Sequence, residues 1–357
     1  MSASFVPVVA IPAKNEQVLL PRLIAALARQ TALSKLHHPL QVVLVINNSD
    51  DGSLATALEA ARRHTATLQL TIRCLDFPSS SAHVGSARRL AMDIAASREP
   101  SGVILTTDAD AVPADDWVEQ NLAAIALGAD LVGGRIVGDK EEELRLGDGF
   151  LRRAHVHARY QELCDELAWL IDPLDHDPWP RHHDHTGASI AVRTTVYRAV
   201  GGMDPLPLRE DIAFVSKARA AGFRLRHAPE VTVTVSARTH GRARGGMADC
   251  LKNWIRAEAD GLPVLVDSPR EVERRLRLRR ALRDLGDATP EIVEQTFDHW
   301  GIASPYTQMD GGHLSICTLI EQLAGDVLDA PETEPAANAI AMLECRIAEL
   351  RGIAHAA

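Results

Sequence analysis

The first 107 residues repeat one unit: a short apolar run, a polar turn, then a longer stretch with apolar residues at helical spacing. Residues 5–11 (FVPVVAI) are apolar throughout and close on Pro12. A run without polar alternation suits a strand buried on both faces, as in a parallel sheet covered by helices. Residues 17–29 then place Leu20, Leu23, Ile24 and Leu27 on one helical face. Residues 40–46 predict a second strand, closed by the turn-forming string NNSDDGS. Ser53 is expected to cap a helix over 55–63. Strands are predicted over 68–75 and 102–107, with a helix over 86–96 between them. The order β-α-β-α-β-α-β implies an α/β fold with a Rossmann-like, mainly parallel sheet flanked by helices. Such sheets bind ligands beyond the carboxyl ends of their strands, and NNSDDGS and TTDAD fall at two of those ends.

Beyond residue 115 the pattern loosens. Helices are predicted over 117–127, around 142–170 and over 212–221, with strands over 130–132, 189–192 and 231–235. Residues 172–186, rich in Pro, His and Asp, predict a loop. From 246 the chain is mostly helical, with a Pro/Glu-rich break at 332–335 before a last helix over 336–350. At 357 residues it is long enough for two units, or for one large unit with an appendage.

Composition narrows the partners. A formal charge of −10 and a pI near 5.8 exclude nucleic acid as the main partner. No run of about 18 apolar residues occurs, which excludes a membrane-spanning helix. The opening residues are strand-like and too short for a signal peptide. Five dispersed cysteines without a CxxC pair argue against a disulfide framework or a cysteine zinc site. Together these features lead us to expect a cytoplasmic protein.

Asp108, Ala109 and Asp110 follow directly on the fourth apolar run. Two carboxylates one residue apart at a strand end reach the same point in a cleft, and neither can be buried without a partner. A hard divalent cation, Mg²⁺ or Mn²⁺, together with nucleotide phosphates meets that need, because both ions take oxygen ligands and leave positions open for phosphate. The competing reading is an acidic turn that caps the helix beginning near Asp115.

Four strings, VVAIPAKNE, VINNSDDGS, GSARRLA and TTDAD, occur in this order at successive strand–helix junctions. Further along comes TGASIAVRTTVYRAVGGMDPLPLREDIAFVSKARAAGFRLRHAPE. Over residues 5–245 the chain resembles the nucleotide-sugar glycosyltransferases of the GT-A fold, family 2 in particular. The resemblance implies a nucleotide-sugar-binding half over 1–115 and an acceptor-binding half over 116–245, followed by a helical region over 246–357. It also assigns roles. Pro12, Ala13 and Glu16 would line the nucleoside pocket, and Asn47, Asn48 and Asp51 would sit under the base. Gly85 would allow close backbone approach and Arg88 would meet the diphosphate, alongside Ala109 of the DxD turn. Asp110 would ligate the metal, with Asp108 acting on the ribose or through water. The family usually carries an Asp where this chain has Ile46, so the choice between a UDP and a GDP type of donor stays open.

Glu210 and Asp211 form a second acidic pair. Acids in a first helical turn are favoured by the helix dipole. The resemblance instead implies Asp211 as general base in an inverting transfer, with Glu210 orienting it or binding the acceptor. Gly187, Ala188 and Ser189 would line the acceptor side, with Trp179 as a stacking platform. In the string ARTHGRARGG, His240 is a candidate third metal ligand, and Arg242 and Arg244 are candidate diphosphate clamps, against the alternative of a basic surface loop. His176, His182, His183 and His185, with Asp175, Asp177 and Asp184, do not match a zinc spacing.

Residues 271–285 place Val272, Leu276, Leu282 and Leu285 on one face among arginines. That stripe suits either a helix packed on its own domain or peripheral contact with anionic lipid or a second subunit, so a homodimer stays open. The resemblance implies a small or lipid-borne hydroxyl compound as acceptor. Two alternatives stand beside inversion: a retaining enzyme resembling glucosyl-3-phosphoglycerate synthases, with Arg193 and Arg209 toward an anionic acceptor, and a catalytically silent nucleotide-sugar-binding protein.

Overall fold

A computed structural model describes residues 5–241, 246–286, 288–303, 315–326 and 331–354. The chain falls into two compact units. Residues 1–151, 182–215 and 224–261 make one, and residues 152–181, 216–223 and 262–357 make the other.

The first unit holds β1 (Pro7–Ala13), α1 (Leu20–Leu27), β2 (Leu40–Asn47), α2 (Ser53–Arg63), β3 (Leu68–Leu75), α3 (Val84–Arg98), β4 (Val103–Thr106), β5 (Ala111–Pro113) and α4 (Trp117–Ala126). They are followed by β6 (Leu131–Gly138), α5 (Lys140–Arg145), the start of α6 (Asp148–Ile171), β7 (Ile190–Arg193), α7 (Thr194–Ala199), the start of α8 (Glu210–Ala220), β8 (Leu225–Val235) and α9 (Met247–Ala259). The eight strands form one sheet in the order β3-β2-β1-β4-β7-β6-β8-β5. β3, β2, β1 and β4 are parallel, as the repeating unit predicts. Every residue of β1 is buried, and Leu23, Ile24, Leu27, Leu44, Ile46 and Trp117 pack around it at 1% exposure or less. Each such aliphatic side chain contributes about 1.5–3 kcal/mol by leaving water.

Register positions the site. Parallel pairing sets Ala13 beside Ile46 and Ala10 beside Thr106, so the turns after β1, β2 and β4 leave the sheet along one edge. β7 runs antiparallel to β4 with Ile190 opposite Thr106, which brings residues 187–189 alongside the start of the DxD turn. β8 runs antiparallel to β5 with Val235 opposite Ala111, which returns the chain after β8 toward Asp110.

Three local expectations change. Strand β6 extends to Gly138, and β8 begins at Leu225, because the two pair in parallel across a register shift at Gly134/Arg135. A Cβ on Gly134 would lie 2.2 Å from the Ser189 hydroxyl, so the close approach there requires glycine. Helix α3 begins earlier than the spacing suggests, at Val84, because the His83 ring accepts from the Ser86 N–H. Ser53 is the first residue of α2 rather than its cap, and the Asp51 carboxylate accepts from the Ser53 N–H at 2.9 Å.

The second unit contains the rest of α6, with α10 (Pro269–Asp284), α11 (Pro290–Trp300), α12 (Ile316–Ala324), α13 (Ala336–Ala354) and a short antiparallel pair, β9 (Leu265–Asp267) and β10 (Thr333–Pro335). The apolar stripe of α10 is divided between two cores. Val272 and Leu276 join one, and Leu278, Leu282 and Leu285 join the other. Four of its arginines are paired within the same unit: Arg274 with Glu271, Arg277 with Glu273, Arg279 with Asp326 and Arg283 with Asp172. Among the described residues no helix is long and apolar enough to cross a membrane.

Candidate active site

The turns after β1 and β2 are bound to each other. Asn15, in left-handed backbone with φ 55°, donates to the Asp50 carboxylate at 2.7 Å and through its N–H to the Ser49 hydroxyl at 3.0 Å. The Glu16 N–H donates to the Ser53 hydroxyl, and the Gln17 N–H to the Asp51 carboxylate. Asp51, with Ser53 also on its other oxygen, thus fixes the β1 turn against α2. Asn48, at φ 44°, exchanges two hydrogen bonds with the Phe77 backbone and closes the β2 turn onto the residues after β3. Asn47 is buried and donates to Asn48.

A single guanidinium ties the DxD turn to the second acidic pair. Arg88, 2% exposed, donates from Nη2 to Asp108 at 2.5 Å and from Nε to Glu210 at 3.1 Å, while Nη1 serves the Thr106 hydroxyl and the Gly187 carbonyl. The charges of Asp108, Glu210 and Asp211 raise its pKa although burial alone would lower it. Gly187 passes directly over Arg88, where a Cβ would lie 2.3 Å from Nη2. The Gly187 N–H donates to Asp211 at 2.5 Å, and the Thr107 hydroxyl donates to the Ala188 carbonyl at 2.8 Å. Ser189 is fully buried, its hydroxyl accepting from the Trp117 indole. Gly85 meets the Leu206 backbone, whose carbonyl would lie 2.1 Å from an added Cβ.

The other carboxylates meet Arg238, three residues beyond β8. It forms a two-pronged pair with Glu16, at 2.8 and 2.5 Å, and its Nη2 lies 2.9 Å from Asp110. Asp108, Asp110, Glu16, Glu210 and Asp211 therefore converge from the ends of β1 and β4 and the start of α8.

Residues 8–166 match the family model described as glycosyl transferase family 2, a span that includes the β1 and β2 turns, α3 and the DxD turn. Residues 8–166 are thus similar to a family 2 glycosyltransferase domain. Solved structures similar to it include Staphylococcus aureus TarS 1-349 in complex with UDP. That likeness has 15% identity and a TM-score of 0.46, covering 78% of this chain and 71% of that one. Another is the mannosyltransferase PcManGT from Pyrobaculum calidifontis in complex with GDP-Man and Mn²⁺, with 16% identity, a TM-score of 0.45 and coverage of 98% and 83%. A third is glucosyl-3-phosphoglycerate synthase from Mycobacterium tuberculosis with Mn²⁺, UDP-glucose and glycerol 3-phosphate, with 14% identity, a TM-score of 0.39 and coverage of 73% and 82%. No curated protein sequence matches the chain.

Electrostatics set the acids of this sheet edge apart. Burial, and then the neighbouring charge of Asp108, pushes the Asp110 carboxyl up to about 6, with Glu16 adding to the rise and Arg238 opposing it. Burial raises Glu210 too, against the pull of Arg88. An excess of negative charge at one sheet edge fits a divalent cation. Asp108 and Asp110 can supply two oxygen ligands, which leaves positions for phosphate and water. Among the described residues no group of three or more His, Cys, Asp or Glu side chains is arranged to hold a metal. His240, the expected third ligand, is exposed and lies 3.4 Å from the Thr239 hydroxyl.

The remaining candidates are placed as follows. Pro12 and Ala13 are buried at the end of β1, and Ala109 is buried in the main core. Arg242 and Arg244 lie outside the described residues. Trp179 packs against Trp169 within the second unit, with ring centroids 5.9 Å apart and the planes tilted by 37°. Arg193 donates to the carbonyls of Ile125 and Ala129 at the end of α4. In the His-rich loop, the Asp184 carboxylate accepts from the Ile136 N–H, and His185 lies 3.1 Å from His227 of β8. Sequence reasoning passed over Arg238 and Glu142. The first basic residue after β8 was the available signal for Arg238, and nothing local marks Glu142, which accepts from Ser236 and the Ala237 N–H.

Proposed function

We propose that this glycosyltransferase moves a sugar from a UDP or GDP type of donor to a hydroxyl acceptor, small or lipid-borne, with inversion and with a divalent cation, Mg²⁺ or Mn²⁺. The observation that carries the reading is the convergence of the DxD carboxylates, Glu16 and the Glu210–Asp211 pair on one sheet edge, within a domain of this family. The donor side belongs to residues 1–115 and the acceptor side to 116–245.

In this reading Asp108 and Asp110 hold the cation, which when bound would offset the charge gathering on the departing diphosphate. Glu16 and the turn of Asn47, Asn48 and Asp51 receive the nucleoside. Asp211, half-buried, is oriented by the Gly187 N–H and takes the proton from the acceptor hydroxyl as its oxygen attacks the sugar C1. Glu210 does not compete for that proton, because it is buried against Arg88. Arg88, which the family resemblance points at the diphosphate, instead aligns Asp108 with the α8 acids. A cytoplasmic setting accords with five cysteines that are all free thiols.

The test is release of nucleoside diphosphate from a panel of UDP- and GDP-sugars with Mn²⁺, comparing the wild type with Asp110→Ala. Loss of turnover in a folded variant supports the reading, and unchanged turnover refutes it. The anomeric configuration of the product, read by NMR, decides between inversion and retention.

A further inference from the structure

Arg238 occupies the place between Glu16 and Asp110 where the proposed function needs a cation. Both prongs of its guanidinium are engaged by Glu16, and Nη2 also reaches Asp110. Its stem is held from behind. Glu142 accepts from the Ser236 hydroxyl at 2.6 Å and the Ala237 N–H at 2.7 Å, and the Arg238 N–H in turn reaches the Ser236 hydroxyl. The backbone is thus anchored at 236–237 while the side chain spans the nucleoside-side acid and the metal-side acid. A guanidinium has five N–H donors and matches carboxylates two at a time, so it satisfies this pair without a metal.

A divalent ion on Asp110 and a guanidinium 2.9 Å from the same carboxylate repel each other, so the two compete for it. We propose that Arg238 is the internal counter-ion of the site before cation and donor bind, a positioning residue that holds Glu16 and Asp110 together and is exchanged for them. This rests on the reading that Asp108 and Asp110 face a divalent ion. One exchange opens both ends of the donor site, so the metal binds weakly until a nucleotide also displaces the arginine. The apparent affinity of any ligand that needs the opened state is reduced by the fraction of molecules in which the arginine has let go.

The experiment titrates Mn²⁺, followed by the electron paramagnetic resonance of the free ion, into the full chain without nucleotide and then with UDP or GDP. Arg238→Ala and Arg238→Gln are expected to bind Mn²⁺ alone about tenfold tighter than the wild type, with Arg238→Lys in between. Adding Asp110→Asn to Arg238→Ala is expected to abolish that gain. Circular dichroism melting selects whichever of the Ala and Gln variants is folded. If a folded variant binds Mn²⁺ alone no tighter than the wild type, while the wild type binds Mn²⁺ with UDP or GDP, the counter-ion role is overturned and the proposed function stands. If neither protein binds Mn²⁺ with or without nucleotide, both fall.

Discussion

Arg88 Nη2 donates to Asp108 Oδ1 at 2.5 Å, so an arginine rooted in α3 sets the direction of the first DxD carboxylate at the end of β4. The same guanidinium reaches Glu210, and through the Gly187 carbonyl it touches the turn whose N–H holds Asp211. Acids 102 and 103 residues further along the chain than Asp108 thereby acquire a fixed relation to the DxD turn.

Removing that cation leaves Asp108 and buried Glu210 without their partner. A broken buried pair costs about 3–5 kcal/mol, so Arg88→Met is expected to lower unfolding stability by that amount in urea melts. Arg88→Lys keeps the charge but cannot serve four acceptors in a fork, and it should lose less. A loss below about 1 kcal/mol in Arg88→Met, the size of an exposed pair, would show that the arginine does not hold the acids together.

Asp110 carries a stability cost that depends on pH. Its carboxyl titrates at 3.8 when unfolded and about 6 when folded. Below the unfolded value both states hold the proton and the group has no effect. As pH rises toward 6 the unfolded state ionises first, and stability is lost until both are ionised. The full difference corresponds to about 3 kcal/mol, and partial exposure reduces it to about 1–3. Metal-free Asp110→Asn is therefore expected to melt higher than the wild type at pH 8 and equally at pH ~3, below the unfolded value. Equal melting at both values would contradict the burial-driven rise.

The parts legible in the chain are those whose cause is local. β1, β2 and β4 are apolar end to end because both faces are covered, and the turns that follow them carry their acids within a few residues. The stripe on α10 is legible for the same reason. The second half is not, since β6 passes through Gly133, Gly134 and Arg135, and β8 through His227 and Pro229, so neither reads as an apolar run. Their pairing is supplied by a parallel contact across some 90 residues. Arg88 is recognisable as a motif residue, but its partners lie 18 to 122 residues away, and burial among them decides its role. Arg238 meets Glu16 across 222 residues, a relation that no spacing reveals.

Asp211→Asn separates chemistry from architecture. An amide oxygen can still accept from the Gly187 N–H, so the turn that carries it should persist. A proton acceptor is lost, which costs about 10²–10⁴ in rate where a side chain acts as general base. The expected result is a kcat lower by that factor, with unchanged UDP or GDP binding and a stability loss of no more than about 1 kcal/mol for the Ile212 N–H that the amide nitrogen cannot accept. A fall in nucleotide affinity with kcat preserved would move Asp211 out of the base role.

Gly187→Ala probes the same junction from the other side. The new methyl would lie 2.3 Å from Arg88 Nη2 and 2.5 Å from its Cζ, and the guanidinium has no room to retreat while it holds Glu210 and Thr106. Overpacking of this kind costs about 1–3 kcal/mol. Displacing Arg88 would also turn Asp108 and move the N–H that orients Asp211. The variant is therefore expected to lose both stability and turnover. Gly352→Ala provides the contrast: that position is exposed, lies within α13 and has nothing within 4 Å of an added Cβ. Relief of glycine's conformational freedom there should raise stability by about 0.5–1 kcal/mol and leave turnover alone. Equal effects of the two substitutions on melting and on nucleoside diphosphate release would mean that the backbone over Arg88 is not tightly fitted.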